Sequence, residues 1–124
     1  VERLQVENNA MDAVRQFFLD DGYKVEDVSS ENRGYDLLAR SDATAELHLE
    51  VKGSKADELQ IELTPNEFSF AKKNHKTFRL CVVLDALNQK KLRVFRPDSK
   101  AMQWEDENGN RLSTTEKIGA IIYE

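Results

Sequence analysis

The chain has 124 residues, 40% hydrophobic and 33% charged, with a net charge of −5 at pH 7. That length suits one domain with a single core, and no apolar run approaches the ~20 residues that cross a bilayer as a helix. Cys81 is the only cysteine, which excludes an internal disulfide, and no secretory leader is visible.

Val6, Ala10, Ala13, Val14, Phe17 and Phe18 recur at helical spacing and predict an amphipathic helix over residues 4–21, with Gly22 as its left-handed cap. Residues 23–28 alternate as a short strand, and residues 29–34 are a polar loop rich in turn formers. Residues 35–40 and 45–52 read as two strands around a turn at 41–44. A loop at 53–57 precedes a further strand at 58–63. Thr64 then caps a helix reaching about Asn74, with Pro65 at its first position and Glu67 closing a capping box. Residues 77–85, which include Cys81 as a small core residue, form the most hydrophobic strand, and residues 90–96 form another. Trp104 reads as core or interface. A turn is expected at Asn108-Gly109-Asn110 and a last apolar strand from Ile118 to Tyr123. The order of elements predicts an α/β fold, a mixed central β-sheet flanked by helices.

The hairpin carries the chemistry. Centred on Ala43, it pairs Arg40 with Glu46, Ala39 with Leu47, Leu38 with His48, Leu37 with Leu49 and Asp36 with Glu50. Leu47, Leu49 and Val51 then cover one face and pack on a helix. Asp36, His48, Glu50 and Lys52 project from the other as a polar constellation. Two carboxylates directly opposite, with Cβ atoms ~4.5–5.5 Å apart, repel. A retained proton or a bound cation relieves the repulsion, and a salt bridge to Lys52 is a further explanation. With a divalent ion, Asp36, Glu50 and the backbone carbonyl of Val51 are the candidate ligands. Lys52 then orients water or stabilises charge on a phosphate. Glu-x-Lys alone is a weak signal.

Asp36 followed by Glu50-Val51-Lys52 resembles the PD-(D/E)xK nuclease superfamily, with Tyr35 standing where the motif has proline. A closer resemblance is to the protein NO VEIN C-terminal domain, found in large plant proteins and in bacterial helicase or restriction-type proteins. It rests on Asn32-Arg33-Gly34-Tyr35-Asp36, Leu49-Glu50-Val51-Lys52-Gly53 and Leu63-Thr64-Pro65-Asn66-Glu67-Phe68, and covers roughly residues 7–96. The resemblance implies a restriction-endonuclease-like core and catalytic roles for Asp36, Glu50 and Lys52. It also implies a helix glutamate near the metal, for which Glu7 is the matching residue. Gln60 and Glu67 are candidates for supporting roles.

Residues 1–50 carry a net −7, residues 51–100 a net +5 and residues 101–124 a net −3. A local basic surface binds a polyanion despite an acidic total. Lys55, Lys72, Lys73 and Lys76 are therefore candidate DNA contacts, or a solvated face. His48 and His75 make no zinc pattern with a cysteine.

The resulting expectation is a Mg²⁺-dependent DNA endonuclease domain, with Mn²⁺ as a substitute ion, spanning residues 1–124. The start at Val1 suggests a domain excised from a larger restriction or DNA-processing protein. Expected partners are DNA, helicase or ATPase domains of that parent, and a second copy in a homodimer. The expected setting is cytoplasmic, or nuclear in a eukaryote, without a membrane. The alternatives are a catalytically inactive nuclease-fold module that binds DNA or a partner protein, and a protein-interaction domain.

Overall fold

A computed structural model describes residues 1–116 and 120–124. Among these residues, two α-helices, α1 (Glu2–Asp20) and α2 (Pro65–Lys73), accompany nine strands. These are β1 (Lys24–Asp27), β2 (Leu37–Arg40), β3 (Leu47–Gly53), β4 (Gln60–Leu63), β5 (Phe78–Leu84), β6 (Lys91–Pro97), β7 (Gln103–Glu105), β8 (Arg111–Glu116) and β9 (Ala120–Tyr123). The sheet order is β1-β2-β3-β5-β6-β7-β8-β9-β4. Only β3 and β5 run parallel; every other recorded pairing is antiparallel. A parallel pair needs a long crossover, and residues 54–77, which carry β4 and α2, supply it. This is the expected α/β architecture and is consistent with a restriction-endonuclease-like core. Among the described residues, no helix is long and apolar enough to cross a membrane.

The β2–β3 register is the expected one: Leu37 pairs with Leu49, Leu38 with His48 and Ala39 with Leu47. Alternation along β5 divides the interior in two. Cys81 and Val83 face one cluster with Leu37, Ala39 and Leu49, into which α1 inserts Val6, Ala10, Val14 and Phe18. Those four α1 residues recur every fourth position and so form one stripe. Phe78, Leu80, Val82 and Leu84 face the second cluster, which joins Phe68 and Ala71 of α2 to Ile61, Trp104, Leu112 and Ile122. Each fully buried aliphatic of this kind contributes about 1.5–3 kcal/mol. Helices therefore do not cover both faces alone. The β4, β8 and β9 strands close the second face beside α2.

That second cluster corrects the expected polar face of the hairpin. Leu38 is buried in it, and His48 packs against Tyr35 and Phe70, with ring centroids 4.7 and 5.2 Å away. His48 Nδ1 lies 2.8 Å from Thr77 Oγ1, and burial lowers its pKa. The ring belongs to an aromatic cluster rather than to a reactive group.

Two strands were not anticipated, β7 and β8. The expected turn at 108–110 is their connection, with Gly109 at φ +82° and Asp106 Oδ1 accepting from the backbone N–H groups of Asn108 and Asn110 at 2.9 Å each. Their sequences are short and largely polar, so period-two alternation is faint. Trp104 is fully buried, its Nε1 donating to Thr114 Oγ1 at 2.8 Å. Of the expected last strand, Ile118 lies outside the described residues and Ala120–Tyr123 forms β9.

Gly34 meets two constraints at once. Its φ is +97°, and a Cβ there would sit 2.8 Å from the Phe70 Cβ. Gly109 also has positive φ, but a Cβ there meets nothing within 4 Å. Gly34→Ala is expected to cost about 3 kcal/mol by urea denaturation, combining backbone strain with overpacking, against about 1 kcal/mol for Gly109→Ala. Equal costs would show that Phe70 yields to the added methyl.

Candidate functional site

Asp36 stands at the entrance to β2. Its carbonyl accepts from Val28 N–H at 2.9 Å and its N–H donates to Leu49 O at 2.8 Å. The β2–β3 register ends at Leu37–Leu49, and with the Asp36 N–H bonded to Leu49 O the expected Asp36–Glu50 rung is not formed; the two carboxylates instead line one cleft. Asp36 Oδ2 accepts from Val51 N–H at 2.9 Å, so a carboxylate continues the ladder where β2 begins. Burial raises the Asp36 pKa, and the Val51 bond only partly offsets this.

Glu50 is 2% exposed, and its Oε1 is buried without a hydrogen-bond partner. Its Oε2 lies 3.3 Å from Lys52 Nζ. Burial first, and the Asp36 charge second, push the Glu50 pKa up to about 10, with Lys52 opposing. Without a cation, Glu50 therefore keeps its proton at neutral pH.

Lys52 Nζ also donates to Glu67 Oε1 at 3.0 Å. That same oxygen accepts from Thr64 N–H at 2.9 Å, while Thr64 Oγ1 accepts from Glu67 N–H at 3.2 Å. Glu67 is thus both the capping-box residue of α2 and the anchor of Lys52. Burial works against the Lys52 charge, but Glu50 and Glu67 outweigh it and raise the Lys52 pKa. Burial raises Glu67, but the cap bond and Lys52 outweigh it and hold its pKa below the usual value.

The three short stretches singled out in the sequence meet here. Asn66 Nδ2 donates to Asn32 O at 3.3 Å, Gly34 abuts Phe70, Asp36 holds Val51 N–H, and Lys52 joins Glu67. Gly53 closes the second stretch because a Cβ there would sit 2.9 Å from the Ala10 Cβ. Only glycine lets α1 lie so close to the end of β3.

An open cleft of about 620 Å³ exposes the site. Asp36, Glu50, Val51, Lys52 and Glu67 line it, and Glu7 reaches it from α1, where it also sits 3.6 Å from Arg3. Gln60 is exposed on β4, paired with Tyr123, and does not line the cleft. The four candidate DNA lysines are also outside it. Lys55 donates to Glu2 Oε1 at 2.8 Å, Lys72 lies 4.5 Å from the Phe68 ring centroid, and Lys73 and Lys76 are exposed near the end of α2. Asp12 and Asp27 line the cleft without having been anticipated. Asp27 reaches it through the β1–β2 pairing with Leu37, a register that the irregular connection over residues 28–36 does not announce.

Six carboxylates and one lysine therefore face the cleft. Among the described residues, no three His, Cys, Asp or Glu side chains form a ready metal cage. Two facing carboxylates, one with an orphaned buried oxygen, nevertheless fit Mg²⁺. That ion is commonly held by one or two carboxylates and fills its other positions with water and substrate oxygens.

The family model described as Protein NO VEIN, C-terminal matches residues 6–96. The chain belongs to this family. No curated protein and no solved structure matches it.

Because the folded-state pKa of Glu50 lies above its ordinary value of 4.5, the folded protein retains a proton that the unfolded chain loses. The stability this confers is complete below pH 4.5 and is lost progressively as pH rises toward about 10. Glu50→Gln should remove that slope. Its melting temperature relative to wild type is expected to rise from pH 5 to pH 9 in thermal unfolding. A constant difference would mean that Glu50 titrates normally.

Proposed function

We propose that this NO VEIN C-terminal domain is a Mg²⁺-dependent DNA endonuclease of the PD-(D/E)xK type, acting within a larger restriction or DNA-processing protein. The observation that carries the reading is the buried, unpartnered Glu50 Oε1 facing the cleft beside Asp36 and Lys52. An uncompensated buried carboxyl oxygen is costly, and a cation between Asp36 and Glu50 would satisfy it.

Asp36 and Glu50 would hold the ion, with the Val51 carbonyl as a further ligand and Mn²⁺ as a substitute. When bound, Mg²⁺ supplies Lewis-acid polarisation of a phosphodiester and neutralises charge. The chain's own groups do the rest. Val51 N–H fixes the orientation of the Asp36 carboxylate. Lys52, kept protonated by Glu50 and Glu67, donates to a phosphate oxygen or the attacking water and stabilises negative charge as the bond to the leaving oxygen breaks. Glu67 is a positioning residue that acts through Lys52. With six carboxylates lining the cleft, a polyanion approaches only after a cation has offset them.

A second reading, a catalytically inactive module that binds DNA or a partner protein, is favoured by one observation. Lys52 is already engaged by two glutamates, and the other candidate DNA lysines lie outside the cleft. Plasmid nicking in Mg²⁺ or Mn²⁺ separates the two. Asp36→Asn and Lys52→Ala are each expected to lower the nicking rate by about a hundredfold or more while circular dichroism stays unchanged. Unimpaired nicking by either folded variant would overturn the assignment. Salt-dependent DNA binding without nicking by the wild type would establish the second reading.

Metal binding should also displace the Glu50 proton. Calorimetric Mg²⁺ titrations in buffers of different ionisation enthalpy are expected to show release of about one proton near neutral pH. Release should vanish in Glu50→Gln. Metal binding with no proton release would place the ion elsewhere.

A further inference from the structure

A second like-charge pair involves β5 and β6, with Arg79 on the rung of the β3–β5 ladder next to the Glu50–Leu80 pair. The last recorded β5–β6 partners there are Leu80 and Phe95, and one more step of that antiparallel register sets Arg79 opposite Arg96. Like charges so placed destabilise a sheet. Among the described residues neither arginine has a carboxylate within ion-pair distance. Arg79 is instead held by backbone: its Nη1 donates to Lys76 O at 3.1 Å and to Phe78 O at 2.8 Å. Burial, and then the charge of Arg96, lower the Arg79 pKa.

The two arginines border two cavities that share no lining residue with the acidic cleft. The larger, of about 520 Å³, adds Lys76, His75, Arg111 and the edge of Trp104. The smaller, of about 230 Å³, adds Phe17 and Tyr23. The nearby carboxylates have other engagements or other neighbours. Asp98 Oδ1 accepts from the backbone N–H groups of Lys100 and Met102, and Glu105, the β7 residue paired with Arg96, makes its ion contact with Arg111 at 3.7 Å rather than with Arg96. Asp21 and Glu107 line the smaller cavity without forming an ion pair to either arginine. A planar guanidinium already fixed by carbonyls, facing a second one across a strand pair, is arranged to grip a phosphate from two sides.

We propose that Arg79 and Arg96, with Lys76 beside them, form a phosphate-binding site separate from the acidic cleft. Its ligand is a phosphate group, carried on a nucleic-acid backbone or as a free phosphate monoester. The site stands independently of the nuclease reading, because it requires neither metal nor cleavage.

Trp104 is the only tryptophan and, although fully buried, borders the larger cavity, so its fluorescence is followed as one readout of occupancy. The probes are inorganic phosphate, deoxyadenosine monophosphate and a twelve-nucleotide single strand without terminal phosphate, each titrated in metal-free buffer at low salt, with calorimetry in parallel. The wild type should show saturable binding. Arg96→Gln should weaken it about tenfold or more, the loss expected for one charge-assisted hydrogen-bonding group. Lys24→Gln, which removes the same charge from an exposed position on β1, should change it less than about twofold. Binding of the two small probes assigns a free monoester as ligand, and binding of the oligonucleotide alone assigns the backbone. Both results support the site. Absence of saturable binding by any probe overturns the proposal, as does equal weakening by the two variants. If circular dichroism shows Arg96→Gln to be unfolded, Lys76→Gln replaces it, with the same outcomes.

Discussion

Asp36 and Glu50 bring two carboxylates together where the β2–β3 ladder ends, and the organisation of the cleft follows from relieving that repulsion. Glu50 cannot move away, because its strand neighbours Leu49 and Val51 belong to the cluster under α1. Shifting β3 by one residue would turn Leu49 out of that cluster and Glu50 into it. The charge is therefore managed locally. Val51 N–H takes one Asp36 oxygen, Lys52 takes one Glu50 oxygen, and a proton or a cation is left to satisfy the remainder.

Glu67 links this electrostatic arrangement to the fold. A capping box is usually a local device that ends one helix. Here its carboxylate oxygen is shared with Lys52, so the start of α2 and the end of β3 are held by one atom. The aromatic contact of Tyr35 and Phe70, with centroids 4.9 Å apart, ties the Asp36 segment to the same helix. Three stretches far apart in sequence thus form one rigid frame. Altering any one of them is therefore expected to loosen the others.

Charge is segregated around that frame. The cleft is lined by carboxylates, whereas the candidate lysines lie elsewhere and Arg79 with Arg96 marks a different part of the surface. A cation at the cleft and an anion at the arginine pair would each quench a local like-charge repulsion.

Much of this was legible in the chain because it depends on near neighbours. The hairpin register followed from a four-residue turn and the alternation of leucines. The α2 start followed from Thr64, Pro65 and Glu67, and the end of α1 from Gly22, whose φ is +90°. Those features are set within a few residues, where pleat period and capping geometry decide the outcome. Tertiary structure alone decided the rest. It buried Glu50, gave Glu67 its second partner and withdrew His48 into an aromatic cluster. It also paired β4 with β9 rather than with its sequence neighbours, and left Gln60 and the candidate lysines outside the cleft. Burial and long-range strand order depend on what packs against a residue from distant segments, and residue spacing along the chain carries no record of that.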